Sequence, residues 1–339
     1  MLKKFPALFL MLFIMSGQAF AAYPEKNIQG IVMWGAGGAL DNVSRAVAPL
    51  ASAELGKTII MQNKTGATGA IAATAVANSP NDGYTILFGA ENPNLYKVTE
   101  LSNIDYDDFD PVILLMANVG VVIVPKDSPY KTFKDLVEAA RRGDSIKMGS
   151  TGPGGLPYVA TNMIQKIHGV KFNLVQFDGE GPCVTAIMGR HLDAVAIGLI
   201  SAATHINGGA VRALCVISPE RIQSVKDVPA VTEVYPQKYK PYLPWGAFFG
   251  VFVKKGTDGD IRAKLQEAFR KSYNDPKFAE FANTMGGVKL GLTGDAARSY
   301  IEQNKSVSTW LLYDAGGAKH SPEEFGIKRP TLKENAKGK

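Results

Sequence analysis

The chain has 339 residues, 46% of them hydrophobic, and its 37 lysines and arginines outnumber 31 acidic residues for a formal charge of +6. That charge is peripheral: Lys3 and Lys4 open an apolar leader, residues 319–339 carry a net +3, and the body between is nearly neutral. A nucleic-acid binder needs a basic stripe, and none is written here.

Residues 1–21 read as a secretory signal peptide, with a basic start, an apolar run from Phe5 to Met15 and the small-residue cleavage pattern Ala19-Phe20-Ala21. The run is too short for a membrane span, and no cysteine stands at the cleavage point to take a lipid. The expected product is a soluble protein exported to a bacterial periplasm. Residues 22–339 suffice for two domains with separate cores. Cys183 and Cys215 are the only cysteines. A disulfide is permitted in that compartment, but their helix and strand settings favour buried free thiols. The four histidines show no metal-ligand spacing, so neither a metal nor a cofactor is expected.

In chain order, the strand Ile31 to Trp34 runs into Gly35-Ala36-Gly37-Gly38-Ala39-Leu40-Asp41. Asp41 is the expected N-cap of a helix whose face is Val43, Ala46, Val47 and Leu50 and which stops at Gly56. Thr58 to Met61 is the next strand, followed by an alanine-rich helix to about Asn78, the turn Asn81-Asp82-Gly83 and a strand from Tyr84 to Phe88. A second unit starts with the strand Gly120 to Val124, a helix from Phe133 to Arg142 and the strand Ile146 to Met148. That strand enters Gly149-Ser150-Thr151-Gly152-Pro153-Gly154-Gly155 and a helix from Tyr158 to Ile167. The strands Phe172 to Phe177, Ala194 to Ile197 and Val211 to Ile217 complete the unit. After a proline-rich stretch, a crossing strand from Trp245 to Phe252 leads to helices at 260–274, 275–285 and 295–312.

This alternation predicts an α/β chain of two lobes, a Venus-flytrap shape, each lobe a mostly parallel sheet flanked by helices. The expected boundaries are 22–121 for the first part of lobe 1, 122–244 for lobe 2 and 245–318 for a return to lobe 1, so the chain crosses twice. Residues 319–339 read as a basic, frayed tail.

The two glycine-rich turns carry the functional signal. Each lets backbone N–H groups converge where a side chain would block approach, and each opens a helix whose start favours an anion. Enzyme readings fail on residues. From Gly35 the dinucleotide pattern needs glycine where Leu40 stands, no Gly-Lys-Ser/Thr is present, and a nucleophile elbow at Ser150 would need glycine in place of Met148. The candidate ligand-binding set is Trp34, Gly37, Gly38, Ala39, Asp41, Asn92, Ser150, Thr151, Gly154, Gly155, Tyr158, Asp178 and Ser201. Within it Trp34 reads as core in preference to cleft wall, Asp41 as a helix cap paired with Arg45, and Asp178 as a loop acid with a possible ligand N–H partner.

Several segments together resemble the substrate-binding proteins of tripartite tricarboxylate transporters, the Bug family of periplasmic receptors. They are Gly37-Gly38-Ala39-Leu40-Asp41 with Arg45, Asn63-Lys64-Thr65-Gly66-Ala67-Thr68-Gly69, Pro80-Asn81-Asp82-Gly83-Tyr84-Thr85 and Ser128-Pro129-Tyr130-Lys131-Thr132. Ser150 to Gly155, Gly189-Arg190-His191-Leu192-Asp193, Ser218-Pro219-Glu220-Arg221 and Val228 to Glu233 continue the series. The resemblance implies a hinge-closing, non-catalytic, monomeric receptor that hands a small organic carboxylate to membrane permease subunits. It also implies that Trp34 to Asp41 and Ser150 to Gly155 grip the carboxylate through backbone amides and water. The chain departs from the family pattern at Gly35, Gly155, Tyr158 and Phe177-Asp178-Gly179. A sensor reporting to a membrane kinase is the alternative, and a secreted hydrolase a more distant one.

Overall fold

The computed structural model describes residues 23–330 other than Pro244, so the leader 1–21 and the end of the tail lie outside the described residues. Lobe 1 is built first from β1 (Ile28–Val32), α1 (Ala39–Leu55), β2 (Ile59–Asn63), α2 (Ala70–Ala77), β3 (Thr85–Ala90), the short α3 (Tyr96–Thr99) and β4 (Phe109–Asn118). The chain then passes through Val119 into β5 (Gly120–Pro125), α4 (Phe133–Arg141), β6 (Lys147–Ser150), α5 (Leu156–His168), β7 (Asn173–Gln176), α6 (Glu180–Met188), β8 (Ala194–Gly198), α7 (Leu199–Asn207) and β9 (Val211–Ile217). After α8 (Val231–Val234) it returns with β10 (Ala247–Lys254), α9 (Gly259–Asn274), α10 (Pro276–Met285), β11 (Val288–Leu292) and α11 (Gly294–Asp314).

The strands form two sheets, a six-stranded one in the order β11-β4-β10-β3-β1-β2 and a five-stranded one in the order β7-β6-β8-β5-β9. Each is a mixed sheet in which four strands run in one direction, with β10 and β11 reversed in the first and β5 in the second. β10 runs antiparallel to both β3 and β4, and β5 antiparallel to both β8 and β9. The cause is the crossing itself. Strands that arrive from the other lobe enter at the cleft edge and run away from it, against neighbours that end there: Gly120 pairs with Gly198, and Phe249 with Ala90.

β4 and β11 have no counterpart in the sequence reading, and neither has α7. β4 is buried at nearly every position, so it shows no alternation, and Asp110 and Pro111 at its start argue against a strand. The tail also differs from expectation up to Pro330. Lys319 and His320 donate their backbone N–H groups to Val98 O, Trp310 Nε1 donates to Ile327 O, and Arg329 stacks 3.9 Å from the Trp310 ring centre while pairing with Asp314. This segment is docked rather than frayed. Both cysteines are buried free thiols, Cys183 in α6 and Cys215 in β9.

Candidate functional site

α1 begins at Ala39 with Gly38 as its N-cap, not Asp41 as expected. Asp41 lies in the first turn, buried, and both its oxygens are engaged: Oδ2 accepts from Gly37 N (2.9 Å), and Oδ1 from Arg45 Nε and Asn63 Nδ2 (2.9 Å each). It ties the first glycine turn to β2 and has no free oxygen for a ligand. Two more of the turn's N–H groups are also employed, Gly35 N on Asp178 O across the cleft (3.2 Å) and Gly38 N on Gly35 O (3.4 Å).

On the facing lobe, Gly155 caps α5, and its N–H bonds Gly152 O within the turn. Ser150 and Thr151 are buried, and neither hydroxyl has a hydrogen-bond partner. Gly154 acts through its carbonyl rather than its N–H: Asn92 Nδ2 donates to it across the cleft (2.8 Å), while Asn92 Oδ1 accepts from Trp34 Nε1 (2.9 Å). This Trp34–Asn92–Gly154 chain joins the lobes. Together with Gly35–Asp178 it marks a closed cleft.

Behind these contacts is a cavity of about 30 Å³ lined from both lobes, by Trp34, Gly38, Ala39, Leu40, Ala90, Glu91, Asn92, Ala247 and Phe249 on one side and by Thr151, Leu156, Pro157 and Glu180 on the other. Of the expected set it brings together Trp34, Gly38, Ala39, Asn92 and Thr151. Trp34 is a cleft wall, not core. Gly37 and Asp178 line shallower depressions on the outer side of the lobe contact, where the Asp178 side chain is exposed. Ser150 sits behind the cavity at the end of β6. Tyr158 turns away toward the C-terminal segment and reaches Gly317 O (3.5 Å), because two residues along α5 rotate it roughly 200° from the lining Leu156.

Two acids outside the expected set, Glu91 and the Glu180 that reads in sequence as a solvated loop acid, are the most unusual lining residues. Glu91, 5% exposed, follows β3, and its Oε2 has no hydrogen-bond partner. Burial pushes its carboxyl up to about 8, opposed by the N–H groups of Glu91 and Phe248 and reinforced by the charge of Glu180. Glu180 opens α6. Its Oε1 accepts from Gly198 N (2.7 Å), its Oε2 from the Ser201 hydroxyl, and the Ala39 N–H also favours its ionised form. Burial still raises its carboxyl above the ordinary value. Ser201 therefore serves Glu180 rather than a ligand directly. The only signal in the sequence was acid placement beside glycine turns, Ala90-Glu91 and Gly179-Glu180, which is indistinguishable from ordinary loop acids. Among the described residues no cluster of three or more His, Cys, Asp or Glu side chains could hold a metal.

Residues 43–299 match the model of the tripartite tricarboxylate transporter family receptor. The chain belongs to that family. It is 31% identical over 283 residues to a protein of Agrobacterium vitis described as the UPF0065 protein in the TAR-I ttuE-ttuC' intergenic region, covering 80% of this chain and 79% of the relative. It is similar in structure to the periplasmic binding protein BugD, with a TM-score of 0.80, 27% identity, and coverage of 88% of this chain and all of BugD. MatC of Rhodopseudomonas palustris with bound malate shares the fold, with a TM-score of 0.78, 23% identity, and coverage of 86% of this chain and 100% of that one. Members of this receptor family are periplasmic solute-binding proteins, and the two-lobed α/β architecture described above is theirs.

Proposed function

We propose that this receptor binds a small organic carboxylate in the cavity between its lobes and delivers it, as a monomer and without catalysis, to the membrane permease of a tripartite tricarboxylate transporter. The observation that carries the reading is the cavity itself: both lobes line it, and cross-lobe hydrogen bonds from Asn92 and Gly35 close it. A solute held there contacts both lobes only when they are shut, so binding and closure are one equilibrium. The carboxylate is assigned to the Thr151 hydroxyl and the first turn of α5, where Leu156 and Tyr158 carry the leading N–H groups and Pro157 has none. The malate bound by MatC is in keeping with this ligand class. Residues 1–21 would direct the chain to the periplasm and be removed.

A thermal-shift screen of small carboxylates, followed by small-angle scattering with each stabilising compound, tests the reading. The expected result is a raised melting temperature together with a smaller radius of gyration. A compound that stabilises the protein while leaving its scattering unchanged would place the site outside the cleft.

A further inference from the structure

The cavity is lined by two carboxyls and, among the described residues that border it, by no lysine, arginine or histidine. The two acids differ in what they already hold. Glu180 takes N–H groups at the starts of α1 and α7, from Ala39 and Gly198, and the Ser201 hydroxyl. The donors that would otherwise grip an anion at the first glycine turn are thus filled by the protein's own carboxylate. Glu91 also lines the cavity and is buried with Oε2 unpartnered. A second carboxylate on the solute would lie against Glu180, and against Glu91 wherever that acid is ionised, in a low-dielectric pocket where like charges repel. A cation there meets the opposite: an unpartnered acceptor, a second carboxylate, and the aromatic walls of Trp34 and Phe249.

Building on the receptor reading above, we propose that the solute carries a protonated amine as well as its carboxylate, an amino acid in the broad sense. Its ammonium donates to Glu91 Oε2 beside Glu180, while its carboxylate faces Thr151 and the start of α5. The site therefore discriminates against dicarboxylates of the same length. In the empty site burial holds the proton on Glu91, so a bound ammonium displaces it, and affinity for the amine rises with pH up to about 8. The other titratable groups facing Glu91 are Glu180, Tyr96, Tyr106 and Tyr300; burial raises all of them, and the three tyrosines stay neutral across that range. A neutral Glu91 donating to a second ligand carboxylate would give the reverse slope.

The test uses matched pairs, glutarate against 4-aminobutanoate and adipate against 5-aminopentanoate, together with the common α-amino acids. Each is measured by thermal shift and calorimetry at pH values of about 6, 7 and 8. The expected hits all carry an amine and tighten as pH rises. Glu91→Gln has the shape of the protonated carboxyl and should fold normally by circular dichroism, yet weaken those hits by about tenfold or more and flatten their pH slope. A dicarboxylate that binds the parent as tightly as its amino partner overturns the proposal and leaves the carboxylate receptor standing, as does an amine indifferent to Glu91→Gln. Silence across every member of both classes, with scattering unchanged, sinks the receptor reading and this inference with it.

Discussion

Helices of this chain begin in two ways. α1, α5 and α6, whose first turns line the cavity, and α7, whose start holds Glu180, begin at Gly38, Gly155, Gly179 and Gly198, and no side chain caps them. Away from it, α4, α9 and α10 start at Thr132, Asp258 and Asp275, whose side chains accept backbone N–H groups, with Asp135 completing a capping box on α4, while α2 and α11 start uncapped at Gly69 and Thr293. A side-chain cap typically contributes about 1 kcal/mol. The cleft end forgoes that stabilisation, leaving donors free for Glu180 or a ligand and letting the two backbones touch. Buried polar groups do not divide so cleanly, since Thr161 Oγ1, Arg262 Nε and His168 Nδ1 also lack a partner. At the cleft Glu91 Oε2 and the hydroxyls of Ser150 and Thr151 have no partner, whereas His168, on the far side of the second sheet, shares a hydrogen bond with Tyr239 (3.1 Å) and packs against Phe133 and Tyr235.

The sharpest contrast between the two ends is their response to pH. The Glu91 carboxyl is raised from 4.5 to about 8, so the folded protein keeps a proton that the unfolded chain gives up. Its contribution to stability is complete below pH 4.5 and is lost as pH rises toward 8, by roughly 3–5 kcal/mol. His168 is lowered from 6.5 to about 4 by burial, followed by the charges of Lys238 and Arg141, so its contribution is lost in the opposite direction, as pH falls below 6.5. Urea unfolding of Glu91→Gln should abolish the alkaline loss and keep the acid one; an unchanged alkaline limb would remove Glu91 as its source.

Closure comes next in size. A Cβ added at Gly181 would strike Ala36 O and lie 3.0 Å from Gly37 C and Gly38 N, all on the opposite lobe. Gly181→Ala should therefore fold well, since alanine favours its helix, but hold the cleft ajar and weaken binding about 100-fold, or ~2.8 kcal/mol. Wild-type affinity with a scattering profile that still contracts would show that the two turns need not touch.

Gly154→Val should have a smaller effect. Gly154 has φ +87, and its Cβ would meet Leu95 Cβ at 3.3 Å across the cleft. Strain in the turn and a displaced Asn92 bond should weaken binding about tenfold, ~1.4 kcal/mol, without changing the far-UV spectrum. Unaltered binding would reduce this turn to a corner. Thr132→Ala, far from the cavity, is the smallest and serves as the control: about 1 kcal/mol of stability lost, read by chemical denaturation, with ligand affinity unmoved. A loss of affinity there would dissolve the distinction between the two ends.

Much of the fold was legible because it rests on local signals. Gly56 and Gly169 close α1 and α5 in the left-handed conformation, the apolar faces recur at helical spacing, and both glycine turns lie where a strand gives way to a helix. β4 was hidden because a strand buried on both faces has no alternation to read. Its neighbours, β10 and β11, come from more than a hundred residues downstream. Of the site, Trp34, Gly38, Ala39, Asn92 and Thr151 line the cavity, while Asp41 and Ser201 hold the frame that surrounds it.

By itself, then, the sequence determined where the chain turns, which faces are apolar and which corners are open enough for backbone to approach backbone. These depend on φ/ψ preferences and periodicity within a few residues of each other. Only the tertiary structure decided what those corners hold. Glu91 and Glu180 are 89 positions apart and look like loop acids in the chain. They become the charge of one cavity when two sheets, entered by strands of opposite direction, close against each other. The removal of water raises both carboxyls and leaves one oxygen of Glu91 without a partner. Burial is a property of the assembled lobes, and it is burial that sets these acids apart from the loop acids they resemble in the chain.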